Sequence, residues 1–177
     1  MGSYYYLMSS FPSLDLKTAP TVSLRDFIQA VTAQLSEKEA SALLEILSDE
    51  PSCVKGAAAD YLRWDKAVRN ALVKLRAGGE SAADCREGES IPSAAATAAA
   101  LMKIDSPLKA EQFWDSERWN YLENLKTGHC FDFDAAALYA LQLRIAERNA
   151  RFRVDTGERN YTELYKTVID QASKSGV

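Results

Sequence analysis

The stretch that most constrains this chain runs from Asp132 to Arg153, DFDAAALYALQLRIAERNARFR, the longest segment with an unbroken helical pattern and definable ends. Leu138, Leu141, Ile145 and Phe152 recur at offsets of three, four and seven, and Tyr139, Leu143, Ala146 and Ala150 form an adjoining row. One helix therefore carries two apolar faces and needs neighbours on both. Asp132 or Asp134 can accept from the free amides of the first turn, and the three alanines that follow favour helix. About 22 residues at about 1.5 Å each span roughly 33 Å, the width of a small domain. The segment is expected to be the central rod of the core.

Its charges are unevenly signed. Arg144, Arg148 and Arg151 fall at offsets of four and three and so form a row, with Arg153 nearby and Glu147 one turn before Arg151, placed to pair with it. A basic row at a helix C-terminus is favoured by the helix dipole. The same row, Arg144, Glu147, Arg148 and Arg151, is also a candidate docking strip for an acidic partner.

Elsewhere the punctuation predicts more helices. Ser23 can cap a helix carrying Leu24, Phe27, Ile28 and Val31. Ser36 and Glu39 form a capping box for a second that buries Ala40, Leu43, Leu44 and Leu47. Ser52 starts a longer helix to about Arg76, with Ala57, Tyr61, Trp64, Val68, Leu72 and Leu75 in one row, and Gly78 and Gly79 stop it. The polar segment 80–93 is the best boundary between two halves. Beyond it the alanine-rich stretch 94–104 reads as a short buried helix. Ser106 and Pro107 begin another with a possible break at Asp115 and Ser116, and Tyr161 to Ala172 forms a last helix with Leu164, Tyr165, Val168 and Ile169 on one side. The fold class expected is all-α: one domain of two packed helical lobes, 1–78 and 94–177, joined through 79–93. For Tyr4 to Leu14, YYYLMSSFPSL, the tyrosine run favours a strand by propensity and a short packed helix is the alternative. Tyr4, Tyr5 and Tyr6 are candidate contact residues, because tyrosine is enriched at protein interfaces.

Bulk numbers exclude several function classes. With 25 acidic against 21 basic side chains and a net charge of −4, the surface lacks the positive field that nonspecific nucleic-acid binding needs. No apolar run reaches the roughly 18 residues needed to span a bilayer, and no basic signal-type N-terminus is present, so the chain is expected to be cytoplasmic without direct membrane insertion. Cys53, Cys85 and Cys130 are widely spaced and odd in number, unlike a disulfide framework. His129 beside Cys130 lacks both paired metal-ligand spacing and nucleophile–base geometry. No glycine-rich phosphate loop occurs. No catalytic residue, cofactor or metal is therefore expected, and a small enzyme using Cys130 or His129 is the opposing hypothesis.

Two stretches carry a family resemblance. Tyr4, Tyr5, Tyr6, Leu7, Ser10, Pro12 and Leu14, with Phe11 where a leucine is usual, and then Tyr139, Leu141, Leu143, Ile145, Glu147 and Arg148, resemble a bacterial family of unknown function encoded among V/A-type rotary ATPase genes. The resemblance implies a non-catalytic protein component or assembly factor of that ATPase, whose partners are the ATPase's own proteins. More loosely, the family is similar to the helical C-type component that seats the central stalk of the ATPase on the membrane ring. A general helical adaptor with another partner is the alternative.

Overall fold

The central rod is helix α7, Phe133–Arg151, capped by Asp132, whose carboxylate accepts from the Ala135 amide at 2.8 Å. In the computed structural model, which describes residues 2–49, 51–52, 54–77, 91–152, 161–169 and 171, α7 is buried on every side through its first half. Residues 135–143 are all buried, and Ile145 and Ala146 follow. Five of these are alanines, Ala135, Ala136, Ala137, Ala140 and Ala146, and their small side chains let neighbouring helices approach. The expectation of two apolar faces thus understates the burial. It overstates the length, since Phe152 is the C-cap and stands in solvent.

Around this rod lie α1 (Gly2–Ser9), α2 (Leu24–Thr32), α3 (Glu37–Leu47), α4 (Ala57–Arg76), α5 (Pro92–Leu101) and α6 (Pro107–Leu125), with a further helix α8 over 161–169. The fold is all-α, and the described residues contain no strand. Helix α7 packs against α1, α2, α3, α4 and α6, while α5 packs on α4 and α6. One hydrophobic cluster draws on both sides of the 79–93 segment, from Leu7, Phe27 and Trp64 to Ala98, Leu122 and Leu138. Residues 78–90, including Gly78 and Gly79, lie outside the described residues. No helix of the described residues is long and apolar enough to cross a membrane.

Local chemistry explains most helix starts. The Ser23 side chain accepts from the Asp26 amide, and Ser36 with Glu39 makes the full capping box. Helix α5 begins at Pro92, inside the segment read as linker, because proline suits the first turn. Helix α6 likewise opens on Pro107, though the Ser106 side chain makes no capping bond, and it runs unbroken through Asp115 and Ser116. Helix α4 starts at Ala57 instead of Ser52; Ser52 turns back to Glu45, which accepts from its amide at 2.7 Å and its hydroxyl at 2.9 Å.

Burial also corrects two apolar rows. On α3 the inward residues are Leu43 and Ile46, and Leu44 is exposed; on α4 the row ends at Leu72, with Leu75 exposed. Tyr4 to Leu14 resolves as helix through Ser9 followed by irregular chain, not strand. The helical period decides this: Leu7 is buried, Tyr4 and Met8 are half-buried, and Tyr5 and Tyr6 face outward.

Candidate interaction surfaces

The three tyrosines divide into an anchor and a display. The Tyr4 hydroxyl donates to Glu39 Oε1 at 2.7 Å, and Glu39 also completes the α3 capping box. Burial first, then the Glu39 hydrogen bond and the charges of Glu39 and Asp132, push the Tyr4 phenol above its ordinary range, so it stays a donor. Hydrogen bonds from Ser36 and Tyr4 hold Glu39 below the usual carboxylate range. Tyr4 thus fixes α1 to α3. Tyr5 and Tyr6, 74% exposed in the case of Tyr6, meet edge-to-face at 5.6 Å. The Tyr5 ring also lies 4.8 Å from exposed Phe131, in the turn before α7. These three rings form an outward aromatic patch, and nothing in the local sequence around Phe131 marks it as a member.

Two members of the arginine row have partners within the chain. Arg144 donates through Nη1 to the Leu47 carbonyl at the end of α3, at 3.2 Å. Arg148 pairs with Glu111 and lies 3.6 Å from Asp115, both on α6. Glu147 does not serve Arg151 as expected; its Oε1 accepts from the Leu24 amide at 2.7 Å and so caps the start of α2 from 123 residues away. Arg151 is exposed, on the rim of an open cleft of about 420 Å³ lined also by Pro20, Val22, Asp26, Glu147 and Ala150. Of the row, Arg151 is the member most available to a partner.

A buried charge cluster lies behind the row. Arg118 on α6 donates through Nε to Asp65 on α4 at 2.7 Å and through Nη1 to Asp115 at 3.2 Å, and its guanidinium sits 4.0 Å from the Trp114 ring centroid. Asp65, Asp115 and Arg118 are all buried. Burial raises the Asp115 carboxyl above the ordinary carboxylate range, although Arg148 and Arg118 oppose it. For Arg118 burial works against the charged form, and the Asp65 charge and hydrogen bond outweigh it, so its affinity for the proton rises. The only signal for this cluster in the sequence is an Asp and an Arg three apart among tryptophans, where a solvated pair is out of place. The cluster joins α4, α6 and α7 electrostatically.

The opposing enzyme hypothesis centres on His129 and Cys130. His129 Nδ1 lies 2.7 Å from Asp132 Oδ2 and 3.8 Å from Asp134 Oδ2. Both aspartates have structural partners: Asp132 caps α7, and Asp134 Oδ1 accepts from the Ala57 amide at the start of α4, at 3.1 Å. Cys130 is exposed. Cys53 and Cys85 lie outside the described residues, and among those described no group of three or more His, Cys, Asp or Glu side chains could hold a metal ion. Comparison of the chain with protein-family models, with curated proteins and with solved structures finds no match.

Proposed function

We propose that this chain is a non-catalytic component or assembly factor of a bacterial V/A-type rotary ATPase, acting by protein–protein contact in the manner of the helical C-type component of the central stalk. The observation that carries the reading is that its two resemblance-bearing stretches, remote in sequence, meet in space. Phe11 packs 5.6 Å from Tyr139, and the Tyr139 hydroxyl donates to the Pro12 carbonyl at 2.9 Å. A shared pattern that closes on itself constrains the fold and leaves Tyr5 and Tyr6 outward as contact groups. The outward patch of Tyr5, Tyr6 and Phe131 has the aromatic character of interface anchors.

Tagged full-length protein expressed in the source organism should co-purify ATPase subunits in fixed ratio. Tyr5→Ser with Tyr6→Ser, or Arg151→Gln, should weaken that association with only a small change in melting temperature, because all three side chains are exposed. Arg144 and Arg148 are unsuitable for this test, since their partners lie within the chain. Failure of wild-type protein to retain ATPase subunits at mild ionic strength refutes the assignment.

A further inference from the structure

We propose that α8 is a docking helix whose apolar face inserts into an apolar groove on another protein. Tyr161, Leu164, Tyr165, Val168 and Ile169 recur at i, i+3, i+4, i+7 and i+8, the spacing of one continuous helical stripe. In an isolated domain such a stripe faces the core. Here its five side chains are between 48% and 69% exposed, and none belongs to the hydrophobic cluster built from α1 to α7. The Tyr161 and Tyr165 rings stack at 6.2 Å with planes 16° apart, so two large anchors are already aligned with each other.

The occupant follows from area and charge. These five side chains expose on the order of 600 Å² together by ordinary side-chain areas. Pairing with the same helix of a second copy would cover only the facing strip, well below the roughly 800 Å² per partner of a stable interface. A groove closes on both flanks of the stripe as well as its crest. A membrane surface is disfavoured by charge: over 161–171 a single lysine, Lys166, stands against Glu163 and Asp170, whereas interfacial helices carry a basic polar face. The fitting partner is therefore a protein groove about two and a half turns long, apolar along its floor and without strong charge at its rim. This helix-in-groove contact is separate from Tyr5, Tyr6 and Arg151 and does not depend on the identity of the larger assembly.

The test places a photoreactive benzophenone amino acid at Tyr165, on the stripe, or at Lys166, on the polar face, in the full-length chain within cells of the source organism. Position 165 should yield one discrete adduct with another protein, and position 166 far less. That protein, purified, should bind full-length wild-type chain and lose at least tenfold in affinity toward the Leu164→Asp, Val168→Asp double variant, whose melting temperature matches wild type. An adduct of twice the chain's own mass overturns the proposal in favour of self-association, and a lipid adduct does so in favour of a membrane. Absence of any adduct, equal labelling from both positions, unchanged affinity, or a clear fall in melting temperature of the double variant would each refute it.

Discussion

The hydroxyl of Tyr139, on the central helix, donates to the carbonyl of Pro12 at 2.9 Å, closing a separation of 127 residues. The same ring stacks on Phe27 at 4.9 Å and lies against Phe11. Polar and aromatic contributions at this point are separable. Tyr139→Phe keeps the rings packed and removes only the donor, for an expected loss of about 1 kcal/mol. Tyr139→Ala also removes the ring and should cost about 3–5 kcal/mol. Urea unfolding of the two variants measures the difference, and equal losses would show that the hydroxyl, not the ring, governs this contact.

Arg118 neutralises two buried carboxylates at once, Asp65 and Asp115. Arg118→Met retains much of the volume and leaves Asp65 only the exposed Arg69 and Asp115 only the more distant Arg148, so a loss of about 3 kcal/mol is expected. Arg69, itself 61% exposed in its side chain, also pairs with Asp65 at 2.7 Å; its replacement by alanine should cost under about 1 kcal/mol. Chemical denaturation of the two variants should therefore rank Arg118 well above Arg69. A similar small effect from both would mean that the inner pair is hydrated and energetically superficial.

What is legible in the residues and what is not divides along the range of the interaction. The caps at Ser23, Ser36 with Glu39, and Asp132 satisfy amides within one turn, so their letters suffice. The α7 pattern is equally plain, because a helix apolar on two rows must be enclosed. Choices between adjacent apolar residues, such as Leu44 outward and Ile46 inward, depend on where α2 and α7 lie relative to α3. Glu147 has the spacing of a partner for Arg151, but an unpaired amide at Leu24 outcompetes it. The arginine row shows the same limit: Arg144 and Arg148 find acceptors on α3 and α6 that no local spacing reveals. The tyrosine run suggests strand by propensity, and the burial of Leu7 with the Tyr4–Glu39 bond shows a helical face deciding instead.

Gly56 adopts φ +75° and ψ −161° directly before α4, a region open essentially to glycine alone. A Cβ there would stand 2.3 Å from Asp134 Oδ1, the oxygen that accepts from the Ala57 amide. Gly56→Ala therefore combines backbone strain with displacement of a helix-start contact and should cost roughly 2–4 kcal/mol. Gly128 also has positive φ, +96°, but nothing lies within 4 Å of its Cβ position. Gly128→Ala carries strain alone, on the order of 1 kcal/mol. Thermal melts of both should separate by several degrees, and identical melts would remove the steric role of Asp134.

His129 is the chain's only histidine, so its titration can be followed without overlap. Its hydrogen bond to Asp132, aided by the Asp132 and Asp134 charges and opposed by burial, raises the imidazole above 6.5. Burial alone would raise Asp132; the hydrogen bonds from His129 and the Ala135 amide, with the His129 charge, prevail and hold it below 3.8. The raised imidazole contributes stability that is complete below about 6.5 and is lost as pH climbs through the folded value. The depressed carboxylate contributes stability present above about 3.8 and lost as pH falls through its own folded value. Both contributions are complete together from about pH 4 to about 6.5, and the first to fall on alkalinisation is that of His129. Proton NMR of the imidazole should give an apparent pKa above that of a free histidine, moving down in Asp132→Asn. Between pH 6 and 8 the wild type should lose more stability than His129→Gln, and parallel pH profiles for the two would rule out the His129–Asp132 pair as the source.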